Sequence, residues 1–124
     1  MKPTSRTLTA QELEIMKIVW ELPPATVRDV YEALLKRRKI AYTTVMTMMN
    51  ILEEKGYLKK RSQERAYVYQ ATQPKARVLK AMVNDFVDRV FNGVPEALLV
   101  QLLKDKQLSE EELREILRVI EEGE

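Results

Sequence analysis

Histidine and cysteine are both absent from this chain of 124 residues. Without cysteine there are no disulfides, no thiolate metal site and no thiol nucleophile. Without histidine the commonest general base and the commonest metal ligand go together. Glycine is also scarce, with Gly56, Gly93 and Gly123 far apart, so no glycine-rich loop can cradle a phosphate. The apolar run Ala97–Leu103 is far too short to span a bilayer. The first ten residues, MKPTSRTLTA, lack the apolar core of a signal peptide, so a cytoplasmic protein with no membrane partner is expected. The pair Asp85 and Asp88 is best read as the wet face of a helix. Short of unusual Ser–Lys chemistry, no nucleophile–base pair can be assembled. An enzyme is not expected, nor a metal, nor a cofactor.

What is present suits a soluble protein with a real core, at 45% hydrophobic and 32% charged residues. The net charge of +2 conceals an asymmetry. Residues 1–72 hold 13 Lys/Arg against 8 Asp/Glu, a balance of +5, and residues 73–124 hold 8 against 11, a balance of −3. A basic first half joined to an acidic second half suggests that only the first meets a polyanion.

The pattern of the first half is three helices and a hairpin. Leu8-Thr9-Ala10-Gln11-Glu12-Leu13 combines a capping box, Thr9 with Glu12, and a staple of Leu8 on Leu13. The helix it opens carries Leu13, Ile15, Met16, Ile18, Val19 and Trp20, an apolar surface so broad that neighbours must cover it. Trp20 is read as core. Pro23-Pro24 ends this helix. Thr26 with Asp29 starts a second, whose buried stripe is Val27, Val30, Tyr31 and Leu34. Lys36-Arg37-Arg38-Lys39 closes it, and two readings stand for these cations: a solvated helix end favoured by the macrodipole, or contacts to phosphates.

The third helix, Tyr42–Gly56, organises the rest. Val45, Met48, Met49 and Leu52 share one face, at the i, i+3, i+4 and i+7 spacing. Thr43, Met46, Thr47 and Asn50 gather on the other, and each is able to touch a base edge in a major groove. Tyr42 and Thr44, in the first turn, join them as candidate DNA contacts. Gly56 stops the helix. Beyond it, Tyr57–Arg61 and the alternating Ala66–Ala71, joined by the polar Ser62–Arg65, read as a β-hairpin with a basic edge. Three short helices and such a hairpin make a winged helix-turn-helix. The third helix would enter the groove while Lys59, Lys60, Arg61 and Arg65 meet phosphates. A winged helix used only for protein contacts is the alternative, and the basic wing argues against it.

Residues 73–124 read as a helical dimerisation domain, separate from the DNA-binding domain 1–72. A helix starts near Pro74 and presents Leu79, Met82, Val83, Phe86, Val87 and Val90. Gly93 and Pro95 break it, and a nearly apolar helix with Leu99, Leu102 and Leu103 follows. Leu108-Ser109-Glu110-Glu111-Glu112-Leu113 repeats the cap-and-staple pattern, opening a helix with Leu113, Ile116, Leu117 and Ile120 on a narrow stripe. Three short helices have too little surface to bury so much apolar side chain among themselves, which points to a second copy of the chain. The expected fold class is thus mostly α with a small β-hairpin: a winged helix-turn-helix followed by three dimerisation helices.

With these residues in place the chain resembles the penicillinase-repressor (BlaI/MecI) family of bacterial transcription regulators. LTAQELEIMKIVW in the first helix, AYTTVMTMMNILEEKGYL across the third, AYVYQAT in the wing and the KDKQLSEEELREIL tail carry the resemblance, in register from Leu8 to Ile120. It implies a homodimeric repressor seated on a palindromic double-stranded DNA operator until an inducer signal clears it. Copper-responsive relatives place paired cysteines near the C-terminus, and this chain has none. Relatives that control β-lactam resistance are cut in the fifth helix at an Asn-Phe bond by a sensor-linked protease. The resemblance places Gln101 and Leu102 at that position, with altered residues.

Overall fold

The structure is a computed structural model that describes residues 7–105 and 109–122, the side chains of 116 and 119–122 excepted. Helix α1, Ala10–Glu21, opens on the expected capping box: the Thr9 amide donates to Glu12 Oε1 at 3.0 Å, and the Glu12 amide to Thr9 Oγ1 at 3.1 Å. It buries Ile15, Met16, Ile18 and Val19. The chain leaves α1 at Leu22, passes the prolines, and at Ala25 bonds both ways to the backbone of Tyr69. Helix α2, Val27–Leu35, has its own box, Thr26 with Asp29. Its buried residues are Val27, Val30 and Leu34, with Tyr31 only partly covered.

Helix α3, Tyr42–Glu54, sets Val45, Met49 and Leu52 into the centre of the core, each fully excluded from solvent. Gly56 follows at φ 89°, a left-handed turn that turns the chain from the helix into the wing. Strands β1, Leu58–Gln63, and β2, Ala66–Ala71, pair antiparallel from Leu58 opposite Ala71 to Gln63 opposite Ala66. The turn is therefore shorter than the polar stretch 62–65 suggested. Ser62 and Gln63 stay in the ladder, and Glu64, at φ 55°, reverses the chain with Arg65.

Helix α4, Lys75–Val90, begins just after Pro74. Its first half belongs to the winged unit: Val78 is buried in the same core as Ile15, Val45 and Leu58, and Met82 packs against it. Trp20, partly buried, donates its indole N–H to the Gln73 carbonyl at 3.0 Å and fastens the start of α4 to α1. The first compact unit accordingly runs to Met82, beyond the end of the wing. Met82, expected on a seam with a second chain, is already partly covered within this one.

The second unit starts at Val83 and contains the rest of α4, α5 (Pro95–Lys104) and α6 (Glu110–Glu122). Asn92 and Gly93, both at positive φ, turn the chain between α4 and α5. Ser109 and Glu112 form the capping box of α6, with both bonds at 3.0 Å. Its staple partner Leu108, and the side chains of Ile116 and Ile120, lie outside the described residues. Helix α5 buries no residue, and Val83, Phe86, Val90, Leu99, Val100 and Leu117 are all exposed. Among the described residues no helix is long and apolar enough to cross a membrane.

Candidate nucleic-acid interface

The apolar face of α3 fixes which of its residues remain available. With Val45, Met49 and Leu52 in the core and Met48 partly covered, Tyr42, Thr43, Thr44, Met46, Thr47 and Asn50 are left exposed. Tyr42, Met46 and Asn50 form one wall of a cleft of about 600 Å³, whose other walls are the wing and the start of α2. Three of the residues completing the cleft, Arg28, Tyr67 and Tyr69, are absent from the set expected from sequence. The Arg28 guanidinium lies 5.6 Å from the centre of the Tyr42 ring, and Tyr31 packs edge-on against the same ring at 5.4 Å. Aromatic and cation contacts thus hold the first turn of α3 against α2.

The wing cations divide between two faces. Residues paired across the ladder project to the same side of a hairpin. Lys60 therefore shares a face with its partner Tyr69, as Ser62 does with Tyr67, while Lys59 and Arg61 project to the other side with Gln70 and Val68. Lys60 is drawn toward α3: its Nζ lies 3.7 Å from Glu53 Oε1 and 4.6 Å from the centre of the Tyr67 ring. Lys59 and Arg61 are exposed, Arg61 donating to Gln63 Oε1 at 3.1 Å, and Arg65 is exposed at the tip. The four do not form one continuous basic edge. At the end of α2 the ambiguity narrows, because Arg38 Nη2 reaches Glu14 Oε1 at 2.8 Å and Arg37 lies 3.8 Å from Glu14 Oε2. Both arginines fasten α2 to α1.

At the back of the cleft Tyr69 is 3% exposed, and its hydroxyl donates to Asn50 Oδ1 at 3.3 Å. Burial raises the pKa of this phenol; Lys60 opposes the rise, and Glu53, Tyr42 and Tyr67 add to it. The Tyr67–Tyr69 alternation announced that the two share a face. Nothing in the local sequence announced that Asn50, from another element, would meet one of them.

The penicillinase repressor family profile matches residues 8–122. The chain belongs to that family. It is a transcriptional repressor by descent, not an enzyme. It is 29% identical over 111 residues to the penicillinase repressor of Bacillus licheniformis, covering 90% of this chain and 87% of the relative. It is 32% identical over 115 residues to the transcriptional regulator BlaI of Mycobacterium tuberculosis, covering 90% of this chain and 83% of the relative. The methicillin resistance regulatory protein MecI of Staphylococcus aureus is more distant, at 19% identity over 113 residues. Among solved structures, the chain is similar to the Bacillus licheniformis BlaI monomeric form in complex with the blaP half-operator. The TM-score is 0.50 at 27% identity, over 56% of this chain and 85% of that one.

Proposed function

We propose that this repressor acts in the cytoplasm as a homodimer on a palindromic DNA operator. On this reading α3 enters the major groove, and Thr43, Met46, Thr47 and Asn50 face the base edges, flanked by Tyr42 and Thr44. Lys59, Arg61 and Arg65 meet the flanking phosphates, and Arg28 holds the backbone at the start of α2. The observation that carries it is the cleft, where Tyr42, Met46 and Asn50 of α3 stand exposed between Arg28 on α2 and Lys60 on β1. The likeness to a relative solved with a half-operator supports the same orientation. A dimer would cover Val83, Phe86, Val90 and Leu99, which a lone chain leaves exposed.

Release by a sensor-linked protease at Gln101–Leu102 belongs to the same proposal. Both residues lie inside α5, where Gln101 donates its side-chain amide to Asp105 Oδ2 at 3.1 Å. The helix would have to open there before a protease could take the bond in extended form. Incubation of the repressor with the induced host membrane fraction, followed by mass spectrometry of the fragments, tests this, and a cut elsewhere counts against it.

The function is tested by titrating the chain against a cognate duplex, taken by selection from a random pool, and a scrambled one. Binding should be steep in salt, with Arg61→Ala lowering the slope by about one unit. Thr47→Ala should cost about 1–3 kcal/mol on the cognate duplex and little on the scrambled one. Met49→Ala should instead destabilise the fold by about 2–5 kcal/mol and weaken both duplexes alike. Binding indifferent to ionic strength would sink the reading.

A further inference from the structure

The contact between Tyr69 and Asn50 assigns a direction to what α3 reads. The Tyr69 hydroxyl donates to Asn50 Oδ1, 3.3 Å from the hydroxyl oxygen. The bond is long for O–H···O, and it is its direction, from a hydroxyl proton to an oxygen that only accepts, that sets the sense of the amide. With its carbonyl turned back toward Tyr69, Asn50 presents its NH2 group to the cleft.

Building on the DNA-binding reading above, we propose that Tyr69 is a positioning residue. It holds Asn50 as a hydrogen-bond donor, so that one base of each half-site must offer a major-groove acceptor, which excludes cytosine there. The groups that qualify are purine N7, guanine O6 and thymine O4. A free asparagine amide would pair with adenine by donating to N7 and accepting from N6. Here Tyr69 takes one lone pair of the carbonyl and fixes which way the amide faces; the second lone pair keeps adenine among the partners, and cytosine, whose major-groove edge offers only the N4 donor, is the base refused.

The experiment is selection from a randomised duplex pool with the full chain, its Tyr69→Phe variant and its Asn50→Asp variant, followed by titration of single-base changes. Tyr69→Phe keeps the buried ring and removes only the hydroxyl. It should relax discrimination at one position per half-site from about tenfold to near twofold, with the melting temperature and the affinity for random DNA almost unchanged. Asn50→Asp, an exposed change to an acceptor-only side chain, should move the preference there to an edge bearing a donor, cytosine N4 or adenine N6. A Tyr69→Phe variant that keeps the full preference overturns the assignment, as does an Asn50→Asp variant that selects guanine or thymine there. If the wild-type chain selects no sequence at all, the DNA-reading proposal falls with it. Sequence selection that ignores these two side chains removes this inference only.

Discussion

Lys55 Nζ lies 2.7 Å from Glu12 Oε1, and both side chains are nearly buried, 13% and 8% exposed. The same Glu12 oxygen closes the capping box of α1, and Lys55 also donates to the Thr7 carbonyl at 3.2 Å. One ion pair therefore ties the start of α1 to the end of α3, just before Gly56 turns the chain into the wing.

Breaking that pair from one side should be costly, because it strands a charge that water reaches poorly. Lys55→Met is expected to destabilise the fold by about 3 kcal/mol, and adding Glu12→Gln should recover part of the loss. Urea unfolding of the single and double variants, with an unchanged slope, measures both. A double variant no better than the single would mean that the capping role of Glu12, not its charge, carries the stability.

The position of Val78 predicts where the winged unit is able to be cut. A fragment of residues 1–82 keeps Val78 and Met82 over the core and the Trp20 bond to Gln73, whereas residues 1–72 lose all three. The longer fragment should be more stable by about 3 kcal/mol, from one buried valine, part of a methionine and one hydrogen bond. Thermal melts compare them directly. Equal stabilities would show that the first turns of α4 contribute nothing to the winged unit.

Tyr69 predicts an alkaline effect. Its folded pKa is raised above 10.0, so between the unfolded and folded values the native state retains a proton that the unfolded chain has lost. Stability from this group is complete below the unfolded value and is lost as pH rises through the folded one. Tyr69→Phe should abolish that part of the decline. Denaturation at a series of alkaline pH values reads the difference between the two proteins, and parallel curves would refute it.

How much of this was legible beforehand follows the range of each interaction. The boxes at Thr9, Thr26 and Ser109 and the buried face of α3 were readable because their partners lie three or four residues apart. The cleft was half legible. The exposed side of α3 follows from its buried side, but Arg28 and Tyr69 reach it only through the packing of α2 and the ladder register of the wing. That register also separated Lys60 from Lys59 and Arg61, since alternation assigns neighbours to opposite faces without saying which face meets α3. Arg37 and Arg38 were ambiguous for the same reason, their partner Glu14 lying on another helix.

The exposed side of the second unit gives the prediction that bears most on regulation. Val83, Phe86 and Val90 follow helical spacing along the second half of α4 and are 53%, 41% and 50% exposed. Phe86 touches Phe91 edge-on at 6.0 Å but has an open flank. If a second copy covers this stripe, Phe86→Glu places a charge in the seam while disturbing little inside one chain. Sedimentation should then find the wild-type chain dimeric and the variant monomeric, with melting of the winged unit unchanged. Joining two half-site affinities is worth about 100-fold to 10,000-fold in avidity. The variant should therefore lose about that much on a duplex with both half-sites and almost nothing on a single one. A Phe86→Glu chain that still sediments as the wild type does would move the interface off α4, to the apolar side chains of α5 and α6.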